Sequence, residues 1–136
     1  MNILITGASG FIGSHLLRHF VAQGDQVTVA VRNPNALRAR FPCIRVIASD
    51  FRQENTVDHW LSRLRNIDVV VNAVGIFRET TGQSHRQLHC RTPQALFEAC
   101  EKMSVPRVIQ ISALGADEFA TNGFLHSKWQ ADQYLR

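Results

Sequence analysis

The chain has 136 residues, 45% hydrophobic and 19% charged, with a net charge of +4. That composition is ordinary for one globular domain over residues 1–136 and excludes disordered and collagen-like classes. No apolar run approaches the roughly 20 residues that cross a bilayer, and the start, Met1-Asn2-Ile3-Leu4, lacks a basic region and breaks at Gly7, unlike a signal peptide. Three cysteines, Cys43, Cys90 and Cys100, are an odd number without metal-ligand spacing, so a reducing, cytoplasmic compartment is expected. Thirteen of the fifteen basic residues are arginine, and five lie between Arg32 and Arg52. Arginine suits bidentate contact with phosphate or carboxylate. No aromatic interleaving or recognition motif accompanies them, so nucleic acid is not the expected partner.

Asn2–Thr6 is a short apolar run ended by glycine, the pattern of a buried parallel strand. Phe11–Gln23 has helical spacing and stops at Gly24. Gln26–Val31 predicts a second strand, Asn35–Arg40 a short basic helix, and Ile44–Ala48 a third strand. Val57, Trp60, Leu61 and Leu64 share one face of a helix over 54–64. Asp68–Ala73, the most apolar strand, is expected at the sheet centre. A helix over 84–103 contains Pro93, which kinks or restarts it. Arg107–Ile111 is the fifth strand, and 123–136 is helical. This alternation predicts an α/β, Rossmann-like, doubly wound parallel sheet in the order 3-2-1-4-5. The last helical pattern runs to Arg136 without a cap, so the chain is expected to be the amino-terminal part of a longer protein.

The strongest signal is Thr6-Gly7-Ala8-Ser9-Gly10-Phe11-Ile12-Gly13, between strand one and helix one. Gly7 permits a tight turn, Gly10 a close approach of backbone to pyrophosphate, and Gly13 close packing of helix on sheet. Free N–H groups near Ser9, Gly10, Phe11 and Ile12, with the helix dipole, would hold the anion. The plain alternative is a tight turn without a ligand. An NAD-selective site usually has an acid at the end of strand two for the ribose 2′-hydroxyl. Arg32 stands there, and its guanidinium pairs with a 2′-phosphate instead. NADP(H) is therefore the expected cofactor, with NAD(H) second. Arg38 and Arg40 either add to that field or are surface residues.

The G-x-x-G-x-x-G spacing resembles the short-chain dehydrogenase/reductase superfamily, in particular its extended and atypical members. Asn72-Ala73-Val74-Gly75 and Ile111-Ser112-Ala113-Leu114-Gly115 extend the resemblance along the chain. With Ser127-Lys128-Trp129-Gln130-Ala131-Asp132 they are similar to the branch holding the NADPH-binding accessory subunit of respiratory complex I and its bacterial relatives. The resemblance implies that Asp50 and Phe51 border the adenine, and that Ala73, Val74 and Gly75 line the middle of the cofactor. A strand-end or capping acid is the other reading of Asp50.

Superfamily reductases carry a Tyr-x-x-x-Lys pair and a serine after strand five. Ser112 and Lys128 match, but Phe124 stands at the tyrosine position, and a phenyl ring transfers no proton. His126 is rotated about 200° from that helical face, and Ser127 has a very high pKa. Lys128 could itself transfer a proton if desolvated, or serve only as a ribose contact; Ser112 is a substrate contact or an ordinary strand-end hydroxyl. The pairs His15/His19 and His85/His89 have metal-binding spacing without completing ligands and are expected at the surface. Two functions follow. One is an NADP(H)-binding domain of an atypical reductase or epimerase-like protein, moving hydride between NADPH and a carbonyl or quinone-like substrate not identified by these residues. The other is a non-catalytic nucleotide-binding module.

Overall fold

The computed structural model describes residues 1–136. Its elements in chain order are β1 (Asn2–Thr6), α1 (Phe11–Ala22), β2 (Gln26–Val31), α2 (Pro34–Arg40) and β3 (Arg45–Ala48), then α3 (Asp58–Leu61). There follow a 3₁₀ turn (Ser62–Leu64), β4 (Val69–Asn72), a π-helical segment (Arg86–Arg91), α4 (Thr92–Lys102), β5 (Arg107–Gln110) and α5 (Gly123–Leu135). The sheet is parallel in the order β3-β2-β1-β4-β5. This is the Rossmann-like architecture expected from the alternating pattern.

Alternation along β1 divides the core between the two faces. Ile3 and Ile5 join Val29, Val71 and Leu17 on the face that also takes Leu37. Leu4 points to the other face, with Val70, Trp60, Leu96, Ala99 and Ala131. Helices α1 and α2 thus cover one side, and α3, α4 and α5 the other. The central strand is β1, with β4 beside it; the full burial of β4 reflects helices on both faces. No helix is long and apolar enough to cross a membrane.

Two helices differ from the sequence expectation. Residues 54–57 are not helical, because Glu54 is used elsewhere: its carbonyl accepts from the Trp60 indole N–H at 3.1 Å, and its carboxylate from Ser49 and Arg63. Only Asp58–Leu61 and one 3₁₀ turn remain of that helix. The helix containing Pro93 has a π segment before it, in which the Thr92 N–H reaches back to the Gln87 carbonyl. Proline has no N–H for the carbonyl four residues back, and the wider turn delivers the chain to Pro93 in the first turn of α4, where that N–H is not needed.

Candidate functional site

The glycine loop passes beneath the end of β4. Gly7 has φ +74°, and a Cβ on it would lie 2.6 Å from the Ala73 carbonyl carbon. A Cβ on Gly13 would lie 2.2 Å from the Gly7 oxygen, so helix α1 can approach the turn only with glycine there. Gly10 is the residue before the helix, bonded to Gly7 through its N–H at 3.0 Å. The first helical bond of α1 is Ser14 N–H to the Gly10 carbonyl. No acidic residue or side-chain cap meets the first turn of α1, so its leading N–H groups keep their positive field.

Above this turn lies a cleft of about 250 Å³. Its floor is Gly7, Ser9 and Gly10. One wall is Ala30, Val31 and Arg32 at the end of β2, with Ser49, Asp50, Phe51 and Arg52 after β3. The other is Ala73, Val74, Gly75 and Ile76 after β4, with Gln83 and Leu88. Phe11 and Ile12 begin α1 with exposed side chains, and Gly13 acts through packing; none of the three lines the cleft.

The turn after β3 is held from below. Phe51 is buried edge-on against Trp60, ring centroids 5.5 Å apart, and its carbonyl accepts from Thr92 at 2.6 Å and Gln87 at 3.3 Å. Asp50 is gripped by Arg52: Nε lies 2.9 and 3.0 Å from the two carboxylate oxygens, and Nη2 lies 2.5 Å from Oδ2. That guanidinium holds the carboxyl below its usual range. Arg38 and Arg40 do not line the cleft: Arg38 donates to the Val46 carbonyl at 3.0 Å, and Arg40 lies over the Phe41 ring.

Behind the cleft wall at Gly75, α5 brings up Lys128, which like Ser112 does not itself line the cleft. Lys128 is 4% exposed, and its Nζ donates to the Val74 carbonyl at 3.2 Å and the Ile111 carbonyl at 2.9 Å. An ammonium has three donors, so one remains. Burial lowers the Lys128 pKa, opposed by nearby Asp132. Ser112 donates to Asp132. Phe124 stacks on Phe77, centroids 5.2 Å apart.

The sequence reading missed His89. It is 1% exposed, not at the surface. Its Nε2 accepts from the Ile76 N–H at 2.9 Å, and its Nδ1 lies 2.9 Å from Ser127 Oγ, whose hydroxyl donates to the Phe124 carbonyl. These partners require a neutral ring with its proton on Nδ1. Burial, then the charges of Lys128 and His85, push its pKa down to about 3. His89 therefore ties the cleft wall at Ile76 to α5 at Ser127. With Arg86, Gln87 and Arg91 around it, nothing local in the sequence marked it as buried.

A family model described as NAD(P)H-binding matches residues 7–136. The chain belongs to this NAD(P)H-binding family. It is 27% identical over 135 residues to the NADH-ubiquinone oxidoreductase 40 kDa subunit, mitochondrial, of Neurospora crassa, covering 97% of this chain and 36% of that protein. It is 25% identical to the photosystem II assembly factor Ycf39 of Cyanophora paradoxa, covering 100% of this chain and 41% of that one. Among solved structures, MoeE5 in complex with UDP-glucose and NAD has 26% identity and a TM-score of 0.77, covering 99% of this chain and 48% of that one. The chain thus spans well under half the length of these two curated relatives. The residues present fit the family's ligand. Glycine at position 7 lets the turn pack directly on the Ala73 backbone, the helix end supplies N–H groups, and the cleft over the turn runs between the segments after β2 and β3 and the segment after β4.

Proposed function

We propose that this domain holds NADP(H) in preference to NAD(H), as the nucleotide-binding part of an atypical short-chain reductase or epimerase-like protein. The observation that carries the preference is Arg32 in the cleft wall directly after β2, where a 2′-hydroxyl would call for an acid. Gly7, Ser9, Gly10, Phe11, Ile12 and Gly13 would provide the pyrophosphate turn, Asp50 and Phe51 the adenine edge, and Ala73, Val74 and Gly75 the middle of the cleft. When bound, the nicotinamide supplies or accepts a hydride. The remaining donor of Lys128 would bond the nicotinamide ribose.

Retention of the nucleotide without turnover is the reading the side chains favour. Phe124 has no proton to give, Ser112 is bonded to Asp132, and both ring nitrogens of His89 are occupied. Hydride transfer to a carbonyl or quinone-like substrate is the second reading, favoured by the buried Lys128 with its lowered pKa. The three free thiols support a reducing compartment such as the cytoplasm.

Calorimetric titration with NADPH and NADH, alongside Arg32→Asp, tests the preference. NADPH binding tenfold or more tighter, worth about 1.4 kcal/mol, and lost in the variant is the expected result. Equal affinities would overturn it. NADPH oxidation over a carbonyl and quinone panel separates the two readings: turnover abolished by Lys128→Ala establishes the reductase, and silence the module.

A further inference from the structure

Arg32, Asp50 and Arg52 all line the adenine end of the cleft. Asp50 is a difficulty for a site that takes a phosphate, because a carboxylate beside Arg32 offsets its charge. The two groups do sense each other: Arg32 adds to the lowering of the Asp50 carboxyl that Arg52 dominates. Arg52 closes on both carboxylate oxygens, and its backbone N–H donates to Oδ1 at 3.0 Å as well. Counting the three side chains, the wall carries a net +1 with Arg52 present and zero without it. Nothing else in the segment makes up the difference. Arg38 is bonded to the edge of the sheet, Arg40 lies on Phe41, and neither lines the cleft.

We propose that Arg52 is a specificity-determining residue for 2′-phosphorylated adenosine ligands, acting by neutralising Asp50 so that the charge of Arg32 is left for the phosphate. Arg52 is in this sense a positioning residue: its guanidinium is committed to Asp50 rather than to the ligand. The inference rests on the proposed NADP(H) preference. It adds that this preference needs the ion pair after β3 as well as the arginine after β2. A dianionic 2′-phosphate senses the balance of the three charges, whereas a neutral 2′-hydroxyl does not. The effect therefore belongs in the ratio of NADPH to NADH affinity. Any contact Asp50 makes with the adenine is common to both ligands and cancels in that ratio.

The test is titration of the intact protein with NADPH and NADH, at low salt and at high salt. The proteins compared are wild type, Arg32→Asp, Arg52→Gln, Asp50→Asn and the Arg52→Gln/Asp50→Asn double variant. Arg52→Gln is expected to cut the NADPH:NADH affinity ratio by about five- to tenfold at low salt, from an unpaired charge within several ångströms, and by less at high salt. The double variant is expected to recover the ratio to within about twofold of wild type, which a merely structural role for Arg52 would not produce. A wild-type protein with no NADPH preference, unaltered in Arg32→Asp, overturns the underlying reading. A wild-type preference that survives Arg52→Gln overturns this proposal alone. Loss in Arg52→Gln without recovery in the double variant also overturns it, by making Arg52 a direct ligand of the phosphate.

Discussion

Replacing His89 with glutamine separates the two things this ring does: it bonds the cleft wall to α5, and it stays neutral while buried. Glutamine can offer an oxygen where Nε2 accepts from Ile76, but it loses the bond to Ser127 and part of the ring packing. At pH 7.5 the cost is about 1–2 kcal/mol, or roughly 3–7 °C in Tm for a chain of this size. The pH dependence is the sharper signature. The unfolded chain takes a proton on this histidine below about pH 6.5, whereas the folded chain holds the pKa at about 3. Between those values the unfolded state binds more protons, so stability falls as the pH falls, by up to about 1.4 kcal/mol per unit. Glutamine does not titrate. The gap between wild type and His89→Gln should therefore shrink by about 2 kcal/mol between pH 7.5 and pH 5.0, bringing the two proteins level or reversing their order. Urea unfolding at pH 7.5, 6.0 and 5.0 measures it. A gap that stays constant across that range would refute the assignment of a neutral, buried His89.

Gly13→Ala forces a methyl to within 2.2 Å of the Gly7 oxygen, so the turn must open; a loss of about 1–3 kcal/mol and weakening of NADPH binding by more than tenfold are expected. Unchanged thermal unfolding and titration would contradict the close packing of α1 on the loop. Trp60→Ala removes the support beneath Phe51 and should cost about 3–5 kcal/mol, read by denaturant midpoint; a cost under about 1 kcal/mol would place the ring outside the core. Arg63→Met leaves the Glu54 carboxylate without its 2.8 Å partner and should cost about 2 kcal/mol at neutral pH. Burial works to raise the Glu54 pKa, but its bonds to Arg63 and Ser49 outweigh that and hold it below 4.5. The pair's stabilisation is therefore present above that value and lost as the pH falls through the folded-state pKa, so the penalty of Arg63→Met should fade in acid.

The sheet was legible because β1, β2 and β4, buried on both faces, read as short apolar runs, and the alternation of strands with helical segments pointed to a parallel sheet. The glycine loop was legible for a related reason: Gly7 and Gly13 answer to backbone contacts that no other residue tolerates. What escaped the sequence depended on which side-chain and backbone partners the folded turns bring together. His89 is set by Ile76 and Ser127, 13 and 38 residues away, and nothing local marks it as buried. Arg52 is one of five arginines in its segment, and only the turn after β3 singles it out as the one gripping Asp50. The lost helical turn at Glu54 has the same origin, since its carboxylate and carbonyl are taken by Arg63, Ser49 and Trp60.

The central claim is that the cleft over the glycine turn is a dinucleotide site with a phosphate-selective adenine end. A crystal structure of the protein with NADPH tests it most directly. The account predicts the pyrophosphate on the N–H groups of Ser9, Phe11 and Ile12, since that of Gly10 is bonded to Gly7, the adenine beside Phe51, and the 2′-phosphate within hydrogen-bonding distance of Arg32. Density for the nucleotide elsewhere, or a 2′-phosphate turned away from Arg32, would contradict it.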